Sequence, residues 1–296
     1  MSSAEINALI TLLEDPDESV YNHIRSEIIA RGVTMVPQLE KYSEFNTFGL
    51  LFQKRIEDLI HSIQYKGVQD KLAAWCLDEN NDLLEGVLLI NQYQYPSFDF
   101  AEMKATISKI RQDIWLELND ELTALEIVHV FNHILFTVHG FQGNKTNSVA
   151  PENSYMADVL SSKKGNPLSL AILYQILANS LEIPVYGINL PNHFILAYLD
   201  ENRLGLPSVQ DEDKGALFYI NAFAEGSIMH KNEVDTFLYH LELPQEDHYY
   251  RPCSNLEILN RMINNLMFAY TQQGKKKKVL ELKALQQLIP VKVSEE

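Results

Sequence analysis

Few residues in this 296-residue chain stand in a spacing that could do chemistry unaided. His129 and His133 lie four apart in a helical stretch, which sets two imidazoles on one face and can bind a metal. The intervening Val130-Phe131-Asn132 lacks the glutamate of an HExxH motif. They therefore read as core or rim histidines, and no metal site is expected. Cys76 and Cys253 are far apart and neither belongs to a Cys-x-x-Cys pair. They make no disulfide framework and no zinc or redox motif, and they fit a reducing compartment. His193 is a lone histidine in an apolar stretch, whose plain role is a hydrogen bond at a strand–helix interface. By the same plain reading Asn221 ends a strand, Gly165 stops one helix and Pro167 starts the next. Asn144, Asn147 and Asn153 satisfy loop backbone groups.

The elements around these residues follow from periodicity. Almost all of the first 140 residues read as helix. Residues 4–14 place Ile6, Leu9, Ile10 and Leu13 on one face, and Asp15-Pro16-Asp17 then breaks that helix and caps the next, 18–31. A third helix starts near Pro37. Further helices are expected over 48–65, 72–77, 83–93, 100–118 and 122–139, the last with Leu125, Val128, Phe131, Ile134, Leu135 and Val138 at helical spacing. The helix–DPD–helix start resembles a single HEAT-like pair, too little for a solenoid. From Gly140 the texture becomes loop-like. Helices at 156–162 and 167–181 follow, the second apolar on most sides and so buried. Then the period switches to β over 184–190, 193–199 and 217–222, with a polar stretch at 200–215. Two helices, 256–272 and 275–288, close the chain as a hairpin with tetratricopeptide-like spacing. The run Lys275–Lys278 reads as a solvated first turn. Cations are poorly placed there, which an acidic partner surface would account for.

Composition narrows the function classes. Apolar residues make up 46% and charged residues 22%, the profile of a globular protein with a real core. The net charge of −16 repels phosphate backbones, so nucleic-acid binding is not expected. No apolar run approaches the roughly 20 residues of a membrane span. The N-terminus has acids early and no basic region, unlike a secretory signal. The expectation is a cytoplasmic protein with neither membrane nor nucleic-acid partner.

The stretch from Gly140 to Gly226 resembles the SirB1-type transglutaminase-like proteins. The matching pieces are GFQGN at 140–144, PENSYMADVL at 151–160 and KKGNPLSLAILYQILA at 163–178. LEIPVYGINLPNHFILAY at 181–198, FYINAFAEG at 218–226 and the trailing helical hairpin complete the series. The resemblance implies an α+β fold: an N-terminal helical bundle, then a transglutaminase-like (papain-like) core with a central helix on an antiparallel sheet, then a helical hairpin. By motif the chain divides into 1–120, a helical N-terminal region; 121–250, the core; and 251–296, the hairpin.

A transglutaminase-like site needs a cysteine at a helix N-terminus, a histidine base on a strand, and an Asp or Asn on the next strand to orient the imidazole. At the nucleophile position this chain reads Gly165-Asn166-Pro167, and the resemblance assigns base and orienter to His193 and Asn221. Proline has no nucleophilic atom. Ser169 would point roughly 200° away from position 167 at 100° per residue. The expectation is thus a non-catalytic protein that binds a protein or peptide through a relic cleft of Gly165, Asn166, Pro167, His193 and Asn221, with no cofactor. The open N–H groups of Leu168 and Ser169 would suit a carboxylate or carbonyl. The competing reading is a hydrolase or acyltransferase in which His193 activates water or an unrecognised nucleophile. A pure scaffold is indistinguishable from the binding module by sequence.

Overall fold

Helix start signals and apolar stripes set the first part of the chain. A computed structural model describes residues 3–43, 49–147, 149–200 and 215–290. Phe48, where a helix was expected to begin, and residues 201–214 of the polar stretch lie outside them. The chain forms two compact units: Met1–Ala74 with Gln92–Pro96, and Trp75–Asn91 with Ser97–Glu296. This division by compactness differs from the division by motif. It keeps the core and the C-terminal hairpin together with the helices from Ser97 onward.

In the first unit, α1 (Ser3–Thr11) runs into a 3₁₀ turn, Leu12–Glu14, and α2 (Glu18–Arg31) comes next. The Asp17 side chain caps α2 by accepting from the Ser19 N–H at 2.7 Å. Helix α3 (Val36–Ser43) precedes α4 (Leu50–Leu77), a single helix where two were expected. Only Gly67 weakens the joint, and one mid-helix glycine costs about 1 kcal/mol. Ile10, Leu13, Ile24, Ile28, Phe52 and Ile56 build the core of this unit. Arg55 is 5% exposed. It donates to the carbonyls of Leu13 (2.9 Å) and Asp15 (2.7 Å) and to Glu18 (3.0 Å), and its guanidinium lies 4.1 Å from the Tyr21 ring centroid. A buried cation thus fastens the α1–α2 turn.

Helix α5 (Leu83–Gln94) leads to α6 (Phe100–Glu117) and α7 (Ala124–Asn132), which starts at a capping box of Thr123 and Glu126. A π-helical turn, His133–Val138, replaces the last turns of the helix expected here. One extra residue per turn rotates the residues beyond it by about 100°. Val138 therefore leaves the apolar stripe and is 57% exposed; Leu125, in the first turn, is exposed as well. His129 and His133 are both exposed, at the rim rather than in the core.

The second unit is organised around α9 (Pro167–Asn179). Every residue from Leu168 to Ala178 is buried, as the all-round apolar pattern demands. Ahead of it, β1 (Gln142–Gly143) pairs in parallel with β2 (Lys164–Gly165) across α8 (Met156–Ser162). After it, β3 (Val185–Leu190), β4 (His193–Leu199), β5 (Ala216–Asn221) and β6 (Ser227–Met229) form an antiparallel sheet in the order β3-β4-β5-β6. One face packs on α9. The other face, with Ile188, Leu190, Ile195, Ala197 and Tyr219, packs on Val234 and Leu238 of α10 (Lys231–His240) and on Tyr250. Helix α10 left little trace in the sequence, because only two of its residues are buried. Finally α11 (Asn255–Gln272) and α12 (Lys276–Gln286) pair as a hairpin. The basic run is only partly solvated: Lys278 is half-buried, with Nζ 3.4 Å from the Tyr270 hydroxyl and 4.8 Å from its ring centroid.

Candidate functional site

The start of α9 is closed by its own side chains. Asn166 is the N-cap; its Oδ1 accepts from the Ser169 N–H at 2.8 Å, and Ser169 Oγ accepts from the Asn166 N–H at 3.0 Å. Asn166 Nδ2 donates to Ser154 Oγ at 2.9 Å. Pro167 takes the first helical position, where its missing N–H is no loss. Sequence reasoning left the N–H groups of Leu168 and Ser169 open, but the cap consumes that of Ser169. The Ser169 hydroxyl is bound into the same cap and is buried.

Gly165 serves a different purpose from the helix stop expected of it. Lys163, at φ +60°, ends α8. Gly165 sits in β2 directly over the cap, where a Cβ would fall 2.5 Å from Ser169 Oγ and 3.0 Å from Leu170 Cγ. Glycine is required there for close approach.

His193 and Asn221 stand on adjacent strands, β4 and β5. Strand alternation governs their direction. Phe194 turns toward α9, where it and Gln175 would meet any Cβ on Gly187. His193 therefore shares the opposite side with Ile195 and Ala197, and its ring centroid lies 6.0 Å from that of Phe237 on α10. His193 and Pro167 nevertheless border the same space at the start of α9. As the first residue of β4, His193 stands at the rim of the sheet and reaches that space from the side. Asn221 gives the imidazole a hydrogen-bonding contact that favours its protonated form. The Asn221 Oδ1 is also committed to the N–H groups of Phe223 (3.1 Å) and Ala224 (3.3 Å). Burial outweighs the Asn221 contact, and the Arg261 charge adds to burial, so the His193 pKa is lowered and the ring is kept neutral.

A cavity of about 420 Å³ opens at this place. Asn166, Pro167, His193, Phe223, Arg261 and Phe268 are among its lining. Phe194 lines it as well without closing it, and Leu190 is absent from the wall. Gly165 and Asn221 also lie off the wall and act behind it. Sequence reasoning missed the α11 side of the cavity. Arg261, Asn265 and Phe268 stand at i, i+4 and i+7, one face of a helix. That polar-aromatic row beside the apolar stripe was the available signal.

The two cysteines do not supply a nucleophile to this space. Neither lines it. The Cys253 thiol donates to the Gly187 carbonyl at 3.1 Å, and burial, reinforced by Glu257, pushes its pKa up to about 12 despite Arg261. Burial also raises that of Cys76. Among the described residues no group of His, Cys, Asp and Glu could hold a metal ion, and no helix is long and apolar enough to cross a membrane.

A central buried helix, an antiparallel sheet following it and a cleft at the helix start make up a transglutaminase-like core, and residues 101–264 match the transglutaminase-like superfamily. The chain belongs to that superfamily. It is 25% identical over 220 residues to the F-box only protein 21 of Mus musculus, covering 67% of this chain and 34% of that protein. A UPF0162 protein of Xylella fastidiosa is 32% identical over 120 residues, 40% of this chain and 42% of its own length. A UPF0162 protein of Pseudomonas aeruginosa is 25% identical over 206 residues, 67% of this chain and 70% of its own length. The chain spans about a third of the length of the F-box relatives it matches. No solved structure matches it.

Proposed function

We propose that this chain is a SirB1-type, non-catalytic member of its superfamily, a binding module that takes a protein or peptide segment into the cleft at the start of α9. One observation carries the reading: the cavity is open, and the residue presented by the first turn of α9 is Pro167. Acyl transfer from a glutamine side chain or a peptide requires a thiolate or alkoxide there. Ser169 is held in the helix cap, the cysteine thiols stay protonated elsewhere, and His193 approaches from the α10 side of the sheet. Nothing favours the hydrolase reading to the same degree. In this reading α11, the first half of the hairpin with tetratricopeptide-like spacing, forms part of the wall.

The test is a pair of assays on the same protein. Incorporation of a fluorescent amine into a glutamine peptide should be absent, and iodoacetamide should leave peptide binding intact. Fluorescence polarisation against a labelled random pentapeptide pool should detect binding, and Phe268→Ala should weaken it; Phe268 is 58% exposed, so the fold should tolerate the change. Amine incorporation abolished by iodoacetamide, or binding untouched by Phe268→Ala, would overturn the reading.

A further inference from the structure

The cleft has an electrostatic character that the relic-site reading does not explain. Among the described residues Arg261 is its single permanently charged wall residue, and no Asp or Glu lines it. Arg261 is half-buried. Among the described residues no ion pair engages it. Cys253, the group whose charge would act on it, is held as a neutral thiol. This is unusual in a chain of net charge −16, where acidic partners are plentiful. A cation withdrawn from water without a counter-charge is costly, and a guanidinium pairs best with a planar carboxylate gripped by two N–H groups.

The rest of the wall describes what surrounds that carboxylate. Phe194, Phe223 and Phe268 present apolar faces, while the side-chain amides of Asn192 and Asn265 offer paired donors and acceptors. A volume of about 420 Å³ lies in the range of small-ligand sites. An anion alone would leave the aromatic surface wet, and an apolar chain alone would leave Arg261 unpaired. A carboxylate, an adjacent apolar side chain and a neighbouring amide together describe the C-terminal end of a peptide.

We infer that the cleft captures the free C-terminus of a peptide, its carboxylate on Arg261 and an apolar last side chain against Phe223 and Phe268. This rests on the binding-module reading and names the ligand class for it.

The experiment compares fluorescein-labelled pentapeptides that end in leucine or phenylalanine, as free acids and as C-terminal amides. A third set carries an internal glutamate and an amidated end. The free acids should bind best. Amidation should weaken binding by about tenfold to a hundredfold, the range for a hydrogen-bonded charge pair. Arg261→Gln should remove the preference for the free acid, and Arg261→Lys should keep part of it. Thermal melts check that both variants fold, and the acid-against-amide comparison on unaltered protein holds whatever the variants do. Equal binding of acid and amide overturns the inference and leaves the binding module standing. Internal glutamate binding as well as the free terminus overturns the terminal assignment. N-acetyl-leucine competing at the concentration of the pentapeptide would assign the site to a small carboxylate and overturn the peptide. No binding by any pentapeptide overturns both the inference and the proposed function.

Discussion

Replacing Pro167 with cysteine puts a thiol where the proposed reading places the superfamily's nucleophile, and its acidity reads out the cleft directly. Pro167 lines the open cavity at the first position of α9. A thiolate there meets the partial positive charge of the helix N-terminus, worth about 0.3–1 kcal/mol at an exposed site and up to about 2 kcal/mol when partly buried. At 1.36 kcal/mol per pKa unit, that lowers an ordinary thiol of about 8.5 by up to about 1.5 units. Arg261 on the same cavity wall acts in the same direction. His193 contributes less, because burial keeps it neutral and it stands on the α10 side of the sheet. The expected pKa is therefore about 7 to 8, below a free cysteine and above the thiolates of functional cysteine enzymes. Loss of proline should cost about 0.4–1 kcal/mol of stability through the unfolded chain, without disturbing a helix that Asn166 and Ser169 still cap. The assay is the pH dependence of iodoacetamide alkylation, followed at each cysteine by peptide mass mapping. Cys253, pushed up to about 12, serves as the slow internal standard. An introduced thiol that alkylates no faster than a free cysteine at pH 7 would refute the placement of an open, electropositive cleft before α9. A pKa below about 5 would show that His193 pairs with position 167 after all.

Arg55→Ala should destabilise the first unit by about 2–4 kcal/mol, since it strips the buried hydrogen bonds from the Leu13 and Asp15 carbonyls; urea unfolding read from hydrogen exchange in α2 checks this. Gly226 has φ +75°, and a Cβ would fall 1.9 Å from Asn132 Oδ1, while Asn132 Nδ2 donates to the Gly226 carbonyl at 2.8 Å. Gly226→Ala should cost about 2–4 kcal/mol through strain and overpacking together, seen as a fall in Tm. The turn it closes also holds Asn221, because the Gly226 N–H donates to the Asn221 carbonyl at 2.9 Å. For His193 the folded pKa is lowered below its ordinary value, so the unfolded chain binds more protons on acidification. Its contribution to stability is present above about pH 6.5 and is lost as pH falls through the folded pKa. Arg261 and Asn221 act on the ring, Cys253 stays protonated across this range, and Phe237 from α10 does not titrate. His193→Gln should flatten the decline of urea stability between pH 7 and 5; an unchanged slope would remove His193 from the account.

Legibility in the sequence tracked the strength of each local signal. Helix α2 is bounded by a capping aspartate and a glycine past its end, and α9 by Asn166-Pro167, and both fall where their signals put them. The strands β3 to β5 follow from β-branched and aromatic runs ended by turn residues. The hidden features were set by tertiary context. The π turn after α7 has no local signature, and it turned Val138 out of the stripe. Helix α10 buries Val234 and Leu238 four residues apart and little else, which is too sparse a pattern to find without the sheet face it covers.

The candidate site divides along the same line. Pro167 is visible because one residue type decides whether a nucleophile exists. The direction of His193 is invisible from motif order, since a period of two is counted from a register that only pairing with β3 and β5 fixes. The place of Arg261 in the site is hidden for another reason: its polar-aromatic row shows on α11, but it lies far along the chain from His193, on a helix that reads by itself as half of a hairpin. Once that helix forms one wall of the cavity, three features of the chain have one explanation. In the proposed reading the proline leaves no nucleophile where the helix starts, the neutral histidine adds no competing charge, and the arginine stands as a cation in need of an anion. A cleft merely released from catalysis would be expected to fill with apolar side chains, because an uncompensated half-buried cation is a cost with no return. An open space and an unpaired charge on its wall together argue for a ligand that uses them.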